Sequence, residues 1–234
     1  MADNRMQRRG TVIAALPCYN EEKFIGEIIH KTRRFVDRVV VVDDGSTDGT
    51  SAAAELAGAT VVRHQTNEGP GMAYQFCLQA ADKYGAEFLV TLDGDGQHDP
   101  EELPRLLQPL LENQADFVIG SRFLTPYKIK RYRKFGIDVI TFLYNLGARE
   151  WIVDAQSCYR AYNRKALDAL QITEKGFGFS VELLVQARRR GLRICEVPIS
   201  CIYTNASHSM NPVRHGVGVA WMVLKHRLMF LLSR

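Results

Sequence analysis

The chain has no run of 18 uninterrupted apolar residues, so no membrane-spanning helix is predicted. It also has no C-x-x-C pair. Its five cysteines, Cys18, Cys77, Cys158, Cys195 and Cys201, are odd in number and scattered. That argues against a disulfide framework or a zinc site and fits a reducing cytoplasm, with most thiols acting as small buried hydrophobes. Residues 1–10 are polar and basic with no apolar core, so no signal peptide is read there and a loose arm is expected. There is no internal repeat, low-complexity tract or linker, so residues 11–234 are expected to form one domain. A large excess of either charge is missing too, and a net charge of +4 gives no reason to expect a nucleic-acid partner. A hydrophobic content of 46% with 24% charged residues is that of a globular protein.

What is present alternates. Residues 11–16 form a short apolar run closed by Pro17, and residues 22–36 follow with helical spacing at Phe24, Ile25, Ile28 and Ile29. Val39, Val40, Val41 and Val42 are apolar without alternation, which suits a parallel strand covered on both faces. Helices are expected over 50–57, 70–84 and 100–112, and strands over 59–63, 88–92 and 116–120. This predicts an α/β protein with a mainly parallel sheet and helices on both faces. The second half is less regular: a helix over 136–146, an extended stretch over 154–162, a helix over 181–190, a strand over 193–200, a polar loop over 201–216 and a mixed apolar and basic segment over 217–232.

Ligands of such sheets sit beyond the carboxyl ends of the strands. Asn20-Glu21, Asp43-Asp44 and Asp93-Gly94-Asp95 all fall at those ends. In Asp93-Gly94-Asp95-Gly96-Gln97 two carboxylates are spaced by glycines that let backbone approach a ligand. Carboxylates are hard ligands that suit Mg²⁺ or Mn²⁺ shared with a diphosphate. An ordinary Asp-Gly turn is the bland reading, but three acidic clusters at one sheet edge favour a metal-nucleotide site.

Pro17-Cys-Tyr-Asn-Glu21, Val41-Val-Asp-Asp-Gly-Ser-Thr-Asp-Gly49, Asn67-Glu-Gly-Pro-Gly71, Asp93-Gly-Asp-Gly-Gln97, Gly120-Ser-Arg122 and Asp154-Ala-Gln-Ser-Cys-Tyr-Arg160 occur in the order seen in family 2 glycosyltransferases. The chain resembles the dolichol-phosphate mannose synthase and polyprenyl-phosphate glycosyltransferase branch over roughly residues 11 to 200. The resemblance implies a GT-A fold, an inverting transfer from a nucleotide-sugar, and Mg²⁺ or Mn²⁺. It implies that Pro17, Tyr19, Glu21, Val41, Asp43, Asp44, Asp93, Gly94 and Asp95 line the nucleotide-sugar pocket. Asp93, Asp95 and Gln97 match the metal and diphosphate positions. Arg122 matches an acceptor-phosphate clamp, with Arg131 or Arg133 as the second arm. Gln156, Ser157 and Glu182 match sugar or acceptor positions, although Glu182 read on its own helix could equally face solvent.

Lys128-Ile-Lys-Arg-Tyr-Arg-Lys134 places cations near a helix start, where they oppose the helix dipole. An anionic acceptor explains them better than solvation. By contrast Arg188, Arg189 and Arg190 end a helix, where cations are favoured, and read as structural. A phosphate acceptor is already anionic and needs no general base. A sugar hydroxyl would need one, and Asp154 is then the candidate. The lead expectation is transfer of a hexose, from GDP-mannose first and UDP-glucose next, to a polyprenyl phosphate by a peripheral protein at the cytoplasmic membrane face. The alternative is a soluble transferase acting on a sugar or glycan. Homo-oligomerisation is left open.

Some family features are missing. The loop after Val197-Pro198-Ile199 lacks the usual arginine and lysine, so His208, Arg214 or His215 is the expected stand-in, and the loop is expected to close over the bound donor. Cys158-Tyr159 replaces the more usual Gly-Phe. No Q-x-x-R-W motif is present, against a processive synthase, and Leu16-Pro-Cys-Tyr-Asn20 stands where a sugar nucleotidyltransferase has a glycine-rich loop. The segment 217–232 could lie on a membrane surface or pack on the core.

Overall fold

The computed structural model describes residues 10–124, 131–146, 148 and 150–201. Its strands are β1 (Val12–Cys18), β2 (Arg38–Asp43), β3 (Thr60–Arg63), β4 (Phe88–Thr91), β5 (Phe117–Ser121), β6 (Arg160–Asn163) and β7 (Ile194–Pro198). They form one sheet in the order β3-β2-β1-β4-β6-β5-β7. β1 pairs in parallel with β2 and β4, β2 with β3, and β5 with β7. Only β6 runs against its neighbours, β4 and β5.

The helices are α1 (Glu22–Thr32), α2 (Thr50–Leu56), α3 (Pro70–Lys83), α4 (Leu103–Leu111), α5 (Arg131–Asn145), α6 (Arg164–Ala169) and α7 (Phe179–Arg189). A strand presents alternate residues to opposite faces. β1 therefore sends Ile13 and Ala15 into one core with α3, α5, α6 and α7. It sends Val12, Ala14 and Leu16 into a second core with α1, α2 and α4. The uniform apolarity of Val39 to Val42 follows from the same geometry, since both faces of β2 are covered.

Three differences from the expected elements have local causes. The stretch 154–162 is extended only in β6. Its first half is a turn closed by Ser157 N donating to Asp154 O and by buried Arg160. α5 begins at Arg131 rather than 136, because Gly136 is tolerated inside the helix. α6 was not expected from periodicity; Asn163 caps it by accepting from Ala166 N at 2.9 Å.

Asp116 ties the far side of the sheet together. Its buried carboxylate accepts from Arg193 N, Nε and Nη2 (2.9, 3.2 and 2.8 Å), from Asn163 Nδ2 (3.0 Å) and from Lys165 Nζ (3.1 Å). The Arg193 guanidinium outweighs burial and holds this carboxyl well below the usual carboxylate range. A depressed acid contributes stability that is complete above its unfolded pKa of about 3.9 and is lost as pH falls towards the folded value. Asp116→Asn is expected to cost about 1–3 kcal/mol at neutral pH. In urea unfolding, the variant's stability should then fall less steeply than the parent's between about pH 5 and 2.

Candidate active site

Strand order reverses at β1, since β2 and β3 lie on one side and β4 on the other. The crevice beyond the carboxyl ends of β1 and β4 is the ligand position of an open α/β sheet. Asn20, at φ 59°, turns the chain out of β1. Its loop is stitched to the one after β2: Asn20 N donates to Ser46 Oγ (2.9 Å), Asn20 Oδ1 accepts from Thr47 N (2.8 Å) and Glu21 N donates to Thr50 Oγ1 (2.8 Å). Tyr19 stands exposed on the rim. The loop after β4 lies close on the end of β1, and a Cβ on Gly94 would sit 2.4 Å from Cys18 Sγ. That close approach brings Asp93 and Asp95 beside Glu21.

The crevice is crowded with negative charge. Glu21 is pushed up to about 8 by burial and by the neighbouring Asp95 and Asp93. Burial, with Asp93 beside it, raises Asp95. Burial also raises Asp93, opposed by the Tyr74 hydroxyl and by the charges of Arg122 and Arg160. Asp95 Oδ1 accepts from Gln97 N at 3.0 Å, and its other oxygen accepts from the Gln97 amide. Among the described residues no three His, Cys, Asp or Glu side chains stand in metal-ligand geometry. The donor set nevertheless fits Mg²⁺ or Mn²⁺, since hard cations of this kind commonly take most of their oxygens from diphosphate and water. Crowded carboxylates with raised pKa values are what such a cation would relieve. Ligation by Gln97 would require its amide to turn, because it now offers nitrogen to Asp95.

Three supports of the crevice were given no such role from sequence. Tyr74, on α3, stacks on Phe179 at 4.2 Å and brings its hydroxyl to 3.0 Å from Asp93 Oδ1 and 3.1 Å from the Cys158 carbonyl. Simple loop polarity is only the bland alternative for His98 from sequence; it is buried, its ring lies 5.0 Å from that of Tyr159, and its Nδ1 accepts from Asp93 N at 3.3 Å. Burial pushes it down to about 4, so it serves as a neutral acceptor. Arg160 is fully buried and clasps the 154–160 turn through Ser157 O (2.7 Å) and Ala155 O (3.1 Å). Only its place at the end of a motif marked it.

On the opposite wall Arg122 and Asp154 form a bidentate pair. Arg122 Nε donates to Asp154 Oδ2 and Nη2 to Oδ1, each at 2.7 Å, and Arg122 N donates to Oδ2 at 3.1 Å. Asp154 is fully buried, whereas the Arg122 side chain is 15% exposed. The carboxylate therefore aims the guanidinium. The backbone under Asp154 is fixed in turn by Glu196, which accepts from Val153 N (2.6 Å) and Asp154 N (2.8 Å).

Other expected site residues are placed differently from a simple reading. Asp43 and Asp44 are buried and engaged within the protein. Asp43 accepts from Ser46 N (2.8 Å) and Ser51 Oγ, and Asp44 accepts from His64 Nδ1 (2.7 Å), Glu68 N (2.9 Å) and Gly69 N (2.9 Å). Val41 lies in the core, and Pro17 is the residue of β1 opposite Val42. Ser157 is buried with its hydroxyl accepting from Tyr159 N (3.4 Å), while Gln156 is half-buried. Glu182 does not face solvent. It is buried and accepts from Thr173 N and Oγ1 and from Glu174 N, fixing the segment whose Lys175 carbonyl receives Gly71 N (2.8 Å). Arg188 is structural as expected, lying 3.7 Å from the Tyr144 ring. The side chains of Arg131 and Arg133, and the whole of His208, Arg214 and His215, lie outside the described residues.

The sheet and its acidic crevice define the class. The fold is the GT-A glycosyltransferase fold, and it matches glucosyl-3-phosphoglycerate synthase of Mycobacterium tuberculosis, solved with Mn²⁺, UDP and glucosyl-3-phosphoglycerate. That match has a TM-score of 0.76 over 95% of this chain and 81% of the other, at 23% identity. The glycosyl transferase family 2 model matches residues 14–171. Among relatives, the chain is 33% identical to the UDP-N-acetylglucosamine–dolichyl-phosphate N-acetylglucosaminyltransferase of Methanococcus voltae, over 82% of this chain and 86% of that one. It is 33% identical to the undecaprenyl-phosphate mannosyltransferase of Micrococcus luteus, over 93% and 98%. The chain belongs to glycosyl transferase family 2, and it is a glycosyltransferase enzyme.

The raised Glu21 gives a metal test that needs no turnover. At pH 7 a carboxyl with a pKa of about 8 holds its proton, and a cation beside it favours the charged form. Mn²⁺ uptake at pH 7 should release close to one proton, and affinity should rise as pH approaches about 8. Calorimetry in buffers of different ionisation enthalpy measures the release, and Glu21→Gln should remove it.

Proposed function

We propose that the chain transfers a hexose, with inversion, from a nucleoside-diphosphate sugar to a polyprenyl phosphate, with Mg²⁺ or Mn²⁺ bound at Asp93, Asp95 and Gln97. GDP-mannose is the first donor to test and UDP-glucose the next. The observation that carries this reading is the Arg122–Asp154 pair. It supplies a preset cation where an acceptor phosphate would sit. It also leaves Asp154 poorly suited as a general base, because both its oxygens are engaged and accepting a proton would forfeit the pair. The hydroxyl-acceptor alternative therefore loses the base it needs.

A phosphate oxygen of the acceptor attacks the anomeric carbon on the face opposite the leaving group. The bond from that carbon to the acceptor oxygen forms while the bond to the nucleoside diphosphate breaks, and no proton has to be removed. The divalent cation, when bound, screens the charge that develops on the departing diphosphate. Asp93 and Asp95 would hold it, with Glu21 and Tyr19 lining the donor pocket. Arg122 would orient the acceptor phosphate, aided by Arg131 or Arg133. Since Asp43 and Asp44 are saturated internally, base and ribose contacts there fall to the backbone those carboxylates organise. Lipid phosphate acceptors place the reaction at a membrane face, and no helix among the described residues is long and apolar enough to cross one.

A screen of GDP- and UDP-sugars with Mn²⁺, with and without a short polyprenyl phosphate, is expected to give a lipid-linked product only when the phosphate is present. No such product with any donor would overturn the proposal. Asp95→Asn should abolish metal-dependent turnover. Asp154→Asn should lower transfer about 100-fold or more through a misaimed Arg122. If Asp154 acted instead as a base, its loss would remove a pH-dependent limb from the rate profile, and no such limb is expected.

A further inference from the structure

We infer that Glu196 is a positioning residue for the acceptor: from β7 it sets, through the backbone of Asp154, the angle at which Arg122 meets the acceptor phosphate. β7 runs parallel to β5, with Glu196 opposite Ile119 and Pro198 opposite Ser121, the residue before Arg122. Alternate residues of a strand share a face. Cys195 and Val197 pack on the core with α1, α2 and α4, and Ile194 packs on the core with α3, α5, α6 and α7. Glu196 shares the face of Ile194. A carboxylate therefore stands at a core-facing position, where a covered strand ordinarily carries an apolar side chain. Burial raises it, opposed by the N–H groups of Val153 and Asp154. A polar group so placed is costly unless it is bonded. Its bonds go to the turn that carries Asp154: Oε2 accepts from Val153 N at 2.6 Å and Oε1 from Asp154 N at 2.8 Å.

The peptide groups on either side are held by other residues. Asn145, on α5, accepts from Ile152 N at 3.0 Å and donates to Ile152 O at 2.7 Å. Arg160 donates to Ala155 O and Ser157 O. Among the described residues, Glu196 is the one side chain that bonds the N–H of Asp154 itself. The Asp154 carboxylate is tied at three points to Arg122, since Oδ2 accepts from Arg122 N and Nε, and Oδ1 from Nη2. Carboxylate and guanidinium move as one unit, so a shift of the Asp154 backbone is passed to Arg122. A misplacement of about 1 Å in a positioning group can cost about 100-fold in rate. The link from Glu196 to Arg122 stands on these contacts, and the step from Arg122 to the acceptor rests on the polyprenyl-phosphate reading. A purely structural Glu196, satisfying two N–H groups of the turn, would affect stability without favouring one substrate.

Two measurements on the full chain test this. The first needs no turnover. In ¹⁵N-labelled protein the Arg122 Nε–H resonance, identified by its loss in R122K, reports the pair with Asp154. Glu196→Gln keeps the size of the side chain but turns an amide N–H towards one of the two backbone donors. It is expected to move that resonance and to speed its exchange with water, with circular dichroism unchanged. An unmoved resonance would overturn the inference. The second measurement is transfer with Mn²⁺, a nucleotide-sugar and a short polyprenyl phosphate. Glu196→Gln should raise the acceptor KM at least about tenfold and leave the donor KM within about twofold. In an R122A background it should add no more than about twofold, because residues that act through one another are not additive. Losses that multiply in the double variant, or donor and acceptor KM rising together, would mean a general loosening and sink the inference. If Glu196→Gln does not fold, E196D takes its place with the same expectations, since its carboxylate falls one methylene short of the two N–H groups. A resonance moved by Glu196→Gln, in a protein whose parent makes no lipid-linked product with any donor, would count against the proposed function and leave the Glu196–Asp154–Arg122 linkage standing.

Discussion

The site depends on a charge imbalance across one crevice. On the wall formed by the ends of β1 and β4, Glu21, Asp93 and Asp95 lie together: burial raises all three, and neighbouring carboxylates add to it at Glu21 and Asp95. On the other wall a guanidinium is already matched by a buried carboxylate. The first wall lacks positive charge, and the second holds a cation at fixed orientation. A divalent cation with a diphosphate completes the first, and an anionic acceptor can approach the second. Family 2 membership gives the chemistry its class, and in the proposed reading each wall serves one of the two substrates.

Rigidity behind these walls comes from groups that touch no proposed substrate. Tyr74 reaches Asp93 from the α3 side, with Phe179 behind its ring. Neutral His98 holds the Asp93 backbone from the other side. Arg160 closes the turn that carries Asp154, and Glu196 fixes that turn from β7. Each is buried or half-buried, so the cost of a polar group away from water is offset by the hydrogen bonds it makes to the site's own loops. Antiparallel β6 is what brings this turn to the crevice, since it inserts between β4 and β5 and delivers Arg160 opposite Thr91.

The legible part of the fold was periodic. β2 read as a doubly covered strand because its four valines do not alternate, and α1 read as a helix from its apolar spacing. α6 escaped because a capped short helix leaves too little pattern, and β6 was expected only as part of a longer extended stretch over 154–162. Among site residues, Asp93 and Asp95 could be read as candidate hard ligands after a strand, Gln97 was added by the family resemblance, and all three lie in the loop beyond β4. Arg122 and Asp154 were both singled out, but for separate tasks. Thirty-two positions apart in the chain, nothing in their spacing said that each occupies the other. Glu182 could be taken for a solvent-facing helix residue because its partners, Thr173 and Glu174, come from an irregular loop.

The amino-acid sequence by itself determined the α/β class, the ends of strands at which polar clusters fall, and the residue types able to hold a hard cation and a phosphate. Those follow from local periodicity and from side-chain chemistry, which need no partner to be read. Tertiary structure alone decided which carboxylates are buried and engaged within the protein, as Asp43, Asp44 and Asp154 are, and which lie half-buried beside one another, as Glu21, Asp93 and Asp95 do. It also decided that α5 is apolar on two faces with only one against the core. Hydrogen-bond saturation, charge crowding and burial are properties of pairs distant in sequence, and only folding brings those pairs together.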